Sequence, residues 1–369
     1  MNDIFKIDDK RDISDFKTKT FSGFKKTDVI NTVLKSIEAK KIEQACNWTT
    51  ECIISGYTLT LWEKLLIFSS KLVHINNPKL PKYMEMKNQI LMNQIKRLNN
   101  RSKNSVLLLR NSQMIRNLFF DVVTTICTSL KTKKYDKYAK IDEKEDFKYE
   151  NIQKRLCSKM NILPNHIIHF NDPNELRIII NEIFTLCKNK QFGYERSCFW
   201  IIWLAKWEAL HRKKKTPWNV SGRIVEGINP KHCNNFIWII WEIIFEELKT
   251  RRNNNIKKQI NALYSLYKFN YSPGKRNTRI PLVFNAIGYL THDIKFNIPL
   301  RSDPTISIQV QTNVNKMFSG KKIHEIKPEK IVIKKEPEKK NKKMDISIEL
   351  VENKIDMFNE IDNIVKKDS

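Results

Sequence analysis

The chain has 369 residues, 41% of them hydrophobic, with eight Trp and nineteen Phe; this length admits two domains of ~100–200 residues each, and the aromatic content excludes global disorder. Only eight Gly are present, too few for the turns and phosphate-cradling loops of all-β folds and most nucleotide enzymes. The net charge is +27, and since residues 301–369 hold 15 Lys/Arg against 12 Asp/Glu, +24 of it falls on residues 1–300, an excess that attracts polyanions.

Residues 1–19 read as a polar arm. A first helix is expected after Thr27, an N-cap residue with Asp28 in the first turn; Val29, Val33, Leu34 and Ile37 form its apolar face. A second runs from about Ile42 to Ser55 with Ala45, Trp48, Cys52 and Ile53 inward, and Gly56 suits the left-handed position that follows it. A third, about Thr60 to His74, ends at Asn76-Asn77-Pro78, a fourth starts near Pro81, and a fifth near Asn111 carries Ile115, Leu118, Phe119, Val122 and Ile126. Short connections make residues 20–130 a compact helical domain. Residues 131–150 (KTKKYDKYAKIDEKEDFKYE) are charged throughout and read as a linker or exposed insertion.

Residues 151–300 restart the pattern. Asp172-Pro173-Asn174-Glu175 predicts an acidic N-cap with Pro at the first helical position. Helices follow over about Glu195–Lys215, after Asn229-Pro230, over Ile256–Phe269 and over Pro281–Leu290; those around residues 200 and 240 are apolar nearly all round, as central helices are. From residue 301 the periodicity fades, so 301–344 is expected to be a disordered basic linker, with Lys327–Lys343 rich in Pro and charge. In 345–369, Ile348, Val351, Ile355 and Phe358 share one face at helical spacing and predict an amphipathic helix that docks on a viral or host protein partner. The fold class expected is all-α: two helical bundles, a flexible C-terminal tail and a terminal amphipathic helix.

Chemistry-bearing motifs are sparse. The seven Cys are widely spaced with no CxxC pair, as in a reducing compartment. His166 and His169 lack a third ligand for a metal site. Tyr271–Thr278 contains a Gly-Lys pair but neither the upstream Gly nor the following Ser/Thr of a Walker A loop. No catalytic set, metal or cofactor is expected. The N-terminus lacks the apolar core of a signal peptide, and no apolar run reaches the ~20 residues that span a bilayer.

Two basic stretches stand out. Arg212, Lys213, Lys214 and Lys215 end the Trp-rich helix: they complement its dipole, serve as an import signal, or contact phosphate beside Trp207 and Trp218, which can stack on a base. Lys275, Arg276 and Arg279 follow a Pro/Gly turn suited to phosphate contact or to plain solvation. The Trp200, Trp203, Trp207 and Trp238, Trp241 stripes read as core, with a partner surface as the alternative.

The run Phe21–Leu66, FSGFKKTDVINTVLKSIEAKKIEQACNWTTECIISGYTLTLWEKLL, followed by Asn77-Pro78-Lys79-Leu80, resembles an uncharacterised family shared among large nucleocytoplasmic DNA viruses. The likeness rests on Phe21-Ser22-Gly23, Lys26-Thr27-Asp28, Glu43 to Trp48, Glu51, Gly56, Trp62-Glu63 and the Asn-Pro-Lys, and extends more loosely to residues 198–245. It implies a viral protein acting in the host cytoplasm or nucleus, or carried in the virion, and assigns no functional residue. The order of a helix, an Ala-x-x-Trp helix, a Gly, a long apolar helix and an Asn-Pro is also similar to the helical collar of clamp-loader-like AAA+ proteins. Without Walker A or B sequences, that likeness implies a stand-alone oligomerisation or docking module.

Overall fold

The computed structural model describes residues 3–99, 105–132, 140–301 and 303–327. Among these residues the fold is all-α: thirteen α-helices, short 3-10 turns, no strand, and one isolated antiparallel bridge between Lys19 and Lys25. The expected docking helix with Ile348, Val351, Ile355 and Phe358 lies outside the described residues, as does most of the linker before it. Two compact units are formed. The first draws on Met1–Leu66, Met86–Ser129 and the described part of Arg301–Ser369, the second on Ile67–Glu85 and Leu130–Leu300.

The first unit is built on α2 (Ile42–Ile54), which is buried nearly all round, Trp48, Cys52 and Ile53 included. Against it pack α1 (Lys26–Glu38) and α6 (Gln113–Thr128). The first of these begins ahead of Thr27, with Lys25 as an N-cap that has no side-chain bond. Ser112 caps α6 by accepting from the Ile115 N–H. Gly56 does adopt the left-handed conformation, φ +76°.

Two expectations fail in this unit, for related reasons. Residues 304–324 are not linker: they form α13 (Pro304–Gly320) and a 3-10 turn, Lys321–His324. Asp303 caps the helix by accepting from the Thr305 N–H at 2.7 Å, with Pro304 in the first turn. Ile306, Val310, Val314 and Phe318, every fourth residue, form its buried face, a stripe thinned by the intervening Gln, Thr and Asn. The N-terminal segment is not a loose arm either. Ile7 and Phe16 are core residues, and Asp9 accepts from the Ile326 N–H while Arg11 donates to the His324 carbonyl.

Buried charge holds these segments. The Arg116 guanidinium donates to the carbonyls of Arg110 and Phe5 and to Asn315 Oδ1, and lies 3.9 Å from the Phe318 ring centroid. Asp121 takes an ion pair from Lys87, another from Arg301, and the Ser307 hydroxyl. Glu51, fully buried, accepts from the Ser22 N–H and hydroxyl at 2.7 and 2.8 Å, with Lys321 Nζ at 3.2 Å. Burial pushes its carboxyl up, but the Lys321 ammonium and the Thr20 and Ser22 donors outweigh that and hold its pKa below the ordinary 4.5. A lowered folded-state pKa contributes stability above pH ~4.5 that is lost as pH falls through the lowered value. In urea unfolding between about pH 5 and pH 2, the parent should therefore lose more stability than Glu51→Gln; parallel pH profiles would refute the ion-pair account.

The second unit surrounds α10 (Phe236–Lys249), capped by Asn235 and buried on most faces. Around it lie α8 (Asn174–Leu186), α9 (Gly193–Lys214), α11 (Asn254–Lys268) and α12 (Arg276–Thr291). The last of these already begins at Arg276, with Pro281 inside it. Gly193 is needed where α9 starts, since a Cβ there would lie 2.1 Å from the Leu186 carbonyl oxygen. Asp172 does not cap α8. Its carboxylate pairs instead with buried Arg223 at 2.6 Å and accepts from the His169 and Ser221 N–H groups, and α8 starts behind Pro173. Within the expected linker or exposed insertion 131–150, residues 133–139 lie outside the described residues. Residues 142–145 and 148–150 are exposed, but between them Asp146 is buried and Phe147 packs edge-on against Trp203 and Trp207 at 5.3 and 5.1 Å.

The Trp200, Trp203, Trp238 and Trp241 side chains are core, each about 1% exposed. Trp203 also donates its indole N–H to the Asp146 carbonyl at 2.8 Å. Trp203→Ala is expected to lower stability by ~3–5 kcal/mol; a loss under ~1 kcal/mol in chemical denaturation would contradict its role as a keystone of this unit.

Candidate nucleic-acid interface

Helix α9 carries aromatic rings at a spacing of three to four, which places them on one side. Trp200 meets Trp203 at 5.8 Å, Trp203 stacks on Trp207 at 4.9 Å and 13°, and His211 lies 4.9 Å from Trp207. Beyond the helix, Trp218 continues the row, its ring 6.4 Å from His211 and 30° from parallel. The row thus runs from the buried Trp200 and Trp203 to the half-buried Trp207, His211 and Trp218. Neither the Trp207 nor the Trp218 indole N–H has an acceptor among the described residues.

At the exposed end of this row stand Arg212, Lys213, Lys214 and Lys215, all solvent-exposed. Arg212 pairs with Glu208 one turn back at 3.3 Å, while Lys213, Lys214 and Lys215 have no ion-pair partner among the described residues. Lys215 ends the helix in the left-handed conformation, φ +56°, with its N–H directed at the Arg212 and His211 carbonyls. Glycine is the usual residue at such a position, and a side chain there costs of order 1 kcal/mol. The sequence keeps a cation where geometry favours glycine. Cations at a helix C-terminus do complement its dipole, by ~0.3–1 kcal/mol each within the last turn. That does not account for a further cation in a conformation unfavourable to it.

The second basic stretch divides. Arg276 is 6% exposed; it pairs with Glu208 and lies 5.1 Å from the Phe236 ring centroid. Arg279 is 2% exposed and donates to the Tyr267 and Phe269 carbonyls. Both brace α12 against its surroundings, and neither reaches solvent as a phosphate contact would require. Lys275 is half-exposed and donates to the Asn270 carbonyl. Burial raises the phenol pKa of Tyr267 and of Tyr271, which line this brace. The two stretches nevertheless converge, because Glu208 accepts from both Arg212 and Arg276.

No family model, curated protein or solved structure matches the chain.

His166 lies 3.4 Å from Glu246, and His169 Nδ1 lies 3.3 Å from the Arg223 guanidinium, a cation that opposes a metal there. Among the described residues no cluster of three His, Cys, Asp or Glu side chains is placed to hold a metal ion, and no helix is long and apolar enough to cross a membrane. Lys206, at helical spacing from Trp203 and Trp207 on α9, is exposed and pairs with Glu143 at 3.5 Å. Arg279→Ala should cost ~1–3 kcal/mol by leaving two carbonyls without their donor and leave polyanion binding unchanged. Weaker binding at full stability would return Arg279 to the interface.

Proposed function

We propose that this protein is a non-enzymatic nucleic-acid-associated factor that contacts phosphate through the exposed cations ending α9. The observation that carries this reading is the strained, exposed Lys215, which with Lys213 and Lys214 ends the helix whose His211 ring lies 6.4 Å from Trp218. Lysines without carboxylate partners release counterions when they meet a phosphate backbone, and a neighbouring indole offers a face for an unpaired base. The resemblance of Phe21–Leu66 to a family of large DNA viruses supports a setting in viral replication, transcription or packaging. Compartment, strand type and any protein partner of the 345–369 segment belong to the same proposal.

A second reading, a virion or assembly protein, draws on a different feature. Phe170 is 97% and Ile224 fully exposed. They sit on two loops that Arg223 ties together through Asp172 and the Ile167 carbonyl. Exposed apolar side chains of this size on anchored loops suit a protein contact.

Gel shift of the full chain at low salt should show binding of duplex or single-stranded nucleic acid below ~10 μM, without strong sequence preference, weakening steeply with salt. Substituting Arg212, Lys213, Lys214 and Lys215 together by Ala should weaken it and flatten the salt dependence, by about one unit of slope for each phosphate no longer neutralised. Lys215→Gly separates capping from phosphate binding: relief of strain leaves the thermal midpoint unchanged or raised, while affinity falls. No shift at any salt, with stoichiometric recovery in viral particles, would favour the assembly reading.

A further inference from the structure

A second feature of the same unit lies at the other end of α9. A cleft of about 310 Å³ opens between the end of α7 (Tyr149–Arg155) and the first turns of α9, lined by Lys154, Arg155, Glu195, Arg196, Phe199 and Trp200. That volume is at the lower limit of small-molecule sites, ~300–1,000 Å³. It accommodates one compact ligand rather than a duplex or a peptide helix.

The walls define the ligand. Two guanidinium groups are fixed against aromatic rings. Arg155 lies 4.6 Å from the Phe199 centroid and is held at 2.9 Å by Asp146; Arg196 lies 4.6 Å from the Phe192 centroid and donates to the Cys157 thiol. A guanidinium so held presents a flat cationic surface that stacks on a planar ring and a set of donors matched to phosphate. Asp146 neutralises Arg155. Arg196 has no carboxylate partner, and Lys154 no ion-pair partner, among the described residues, so these two are available to an anion. Glu195, exposed at the rim, supplies an acceptor for a hydroxyl or amino group. The ligand that answers all three features is small, planar at one end and anionic at the other, with hydrogen-bond donors between or on the ring.

We propose that this cleft is a mononucleotide site, with phosphate on Lys154 and Arg196, the base on the face of Arg155 turned away from Phe199, and Glu195 accepting from a ribose hydroxyl or an exocyclic amine. A free nucleotide and the 5′-phosphorylated end of a strand share this chemistry. The inference uses none of the Arg212–Lys215 side chains and stands apart from the reading based on them. The cleft also holds its own reporter. Of the seven free cysteines only Cys157 is partly exposed, the other six being buried, and it touches Arg196, so thiol alkylation of the folded protein marks this site.

The test is calorimetric titration of the full chain with AMP, UMP, adenosine and inorganic phosphate. Saturable binding of a nucleoside monophosphate is expected at about 1 mM or tighter, at least about tenfold tighter than adenosine or phosphate alone, with a changed rate of Cys157 alkylation at saturation. Arg196→Glu should weaken it by about tenfold or more. Lys154→Glu, on an exposed side chain, provides the same test should the first variant fail to fold. The Arg212–Lys215 quadruple variant should bind AMP as the parent does, even if the gel shift fails altogether. Competition assigns the source within the proposal: displacement of AMP by a 5′-phosphorylated but not a 5′-hydroxyl oligonucleotide indicates a strand end, and no displacement indicates a free nucleotide. Three results overturn the site: no saturable nucleotide binding, phosphate binding as tightly as AMP, or AMP binding that survives both charge reversals and is lost in the quadruple variant.

Discussion

A guanidinium can be taken out of water only where carbonyls, carboxylates or aromatic faces receive its donors. Much of this fold is arranged around that requirement. In the first unit Arg116 gathers the carbonyls of Phe5 and Arg110 and the side chain of Asn315, drawing on three distant stretches of chain. In the second unit Arg223 does the same for the Ile167 carbonyl, Asp172 and Glu242, and Arg279 for the Tyr267 and Phe269 carbonyls at the end of α11. These arginines are ties. Removing one leaves polar groups buried without partners, which is why such positions tolerate substitution poorly.

The same requirement sorts the charge of the chain into two populations. Cations paired with carboxylates, as Arg223 is with Asp172, shape the fold and are largely cancelled in the outer field, whereas one bonded to carbonyls, as Arg116 is, shapes the fold and keeps its charge. Those with neither, such as Lys213 to Lys215 and Lys154, set the potential that an approaching polyanion meets. A net charge therefore does not locate a binding surface, and only the positions of its exposed members indicate where a ligand would sit. Both ends of α9 carry such members, and the aromatic row along the helix gives each end a rigid base.

Helix existence was legible wherever apolar residues recur at three and four: α2, α6 and α10 lie close to where their periodicity places them. Legibility failed where a strict spacing of four was diluted by Asn, Gln and Thr, as at Ile306, Val310, Val314 and Phe318. It failed again where a residue with a good local role had a better distant one. Asp172 reads as an N-cap, but a buried guanidinium outcompetes the backbone N–H groups of the helix behind it. For the interface, the run at 212–215 is where sequence put it, on the surface. Arg276 and Arg279 were not separable from Lys275 by sequence, since a Pro/Gly turn looks alike whether the following helix buries its first turn or exposes it. The cleft was invisible because its walls come from residues some forty positions apart, brought together where Arg155 meets the Phe199 ring.

The first unit is assembled from segments at both ends of the described chain, with most of the second unit's sequence between them. Its buried carboxylate Glu51 meets Lys321 only after 270 further residues have been made. At ~5–20 residues per second, that interval is about 14–54 s, during which Glu51 has no ammonium and the apolar faces that α13 will cover remain open. The second unit, whose segments Ile67–Glu85 and Leu130–Leu300 emerge before α13, is complete earlier. Synthesis order therefore makes the inserted unit the first to mature and leaves the enclosing one dependent on its last helix, so that premature termination before residue 304 would yield one finished unit and one exposed, aggregation-prone one.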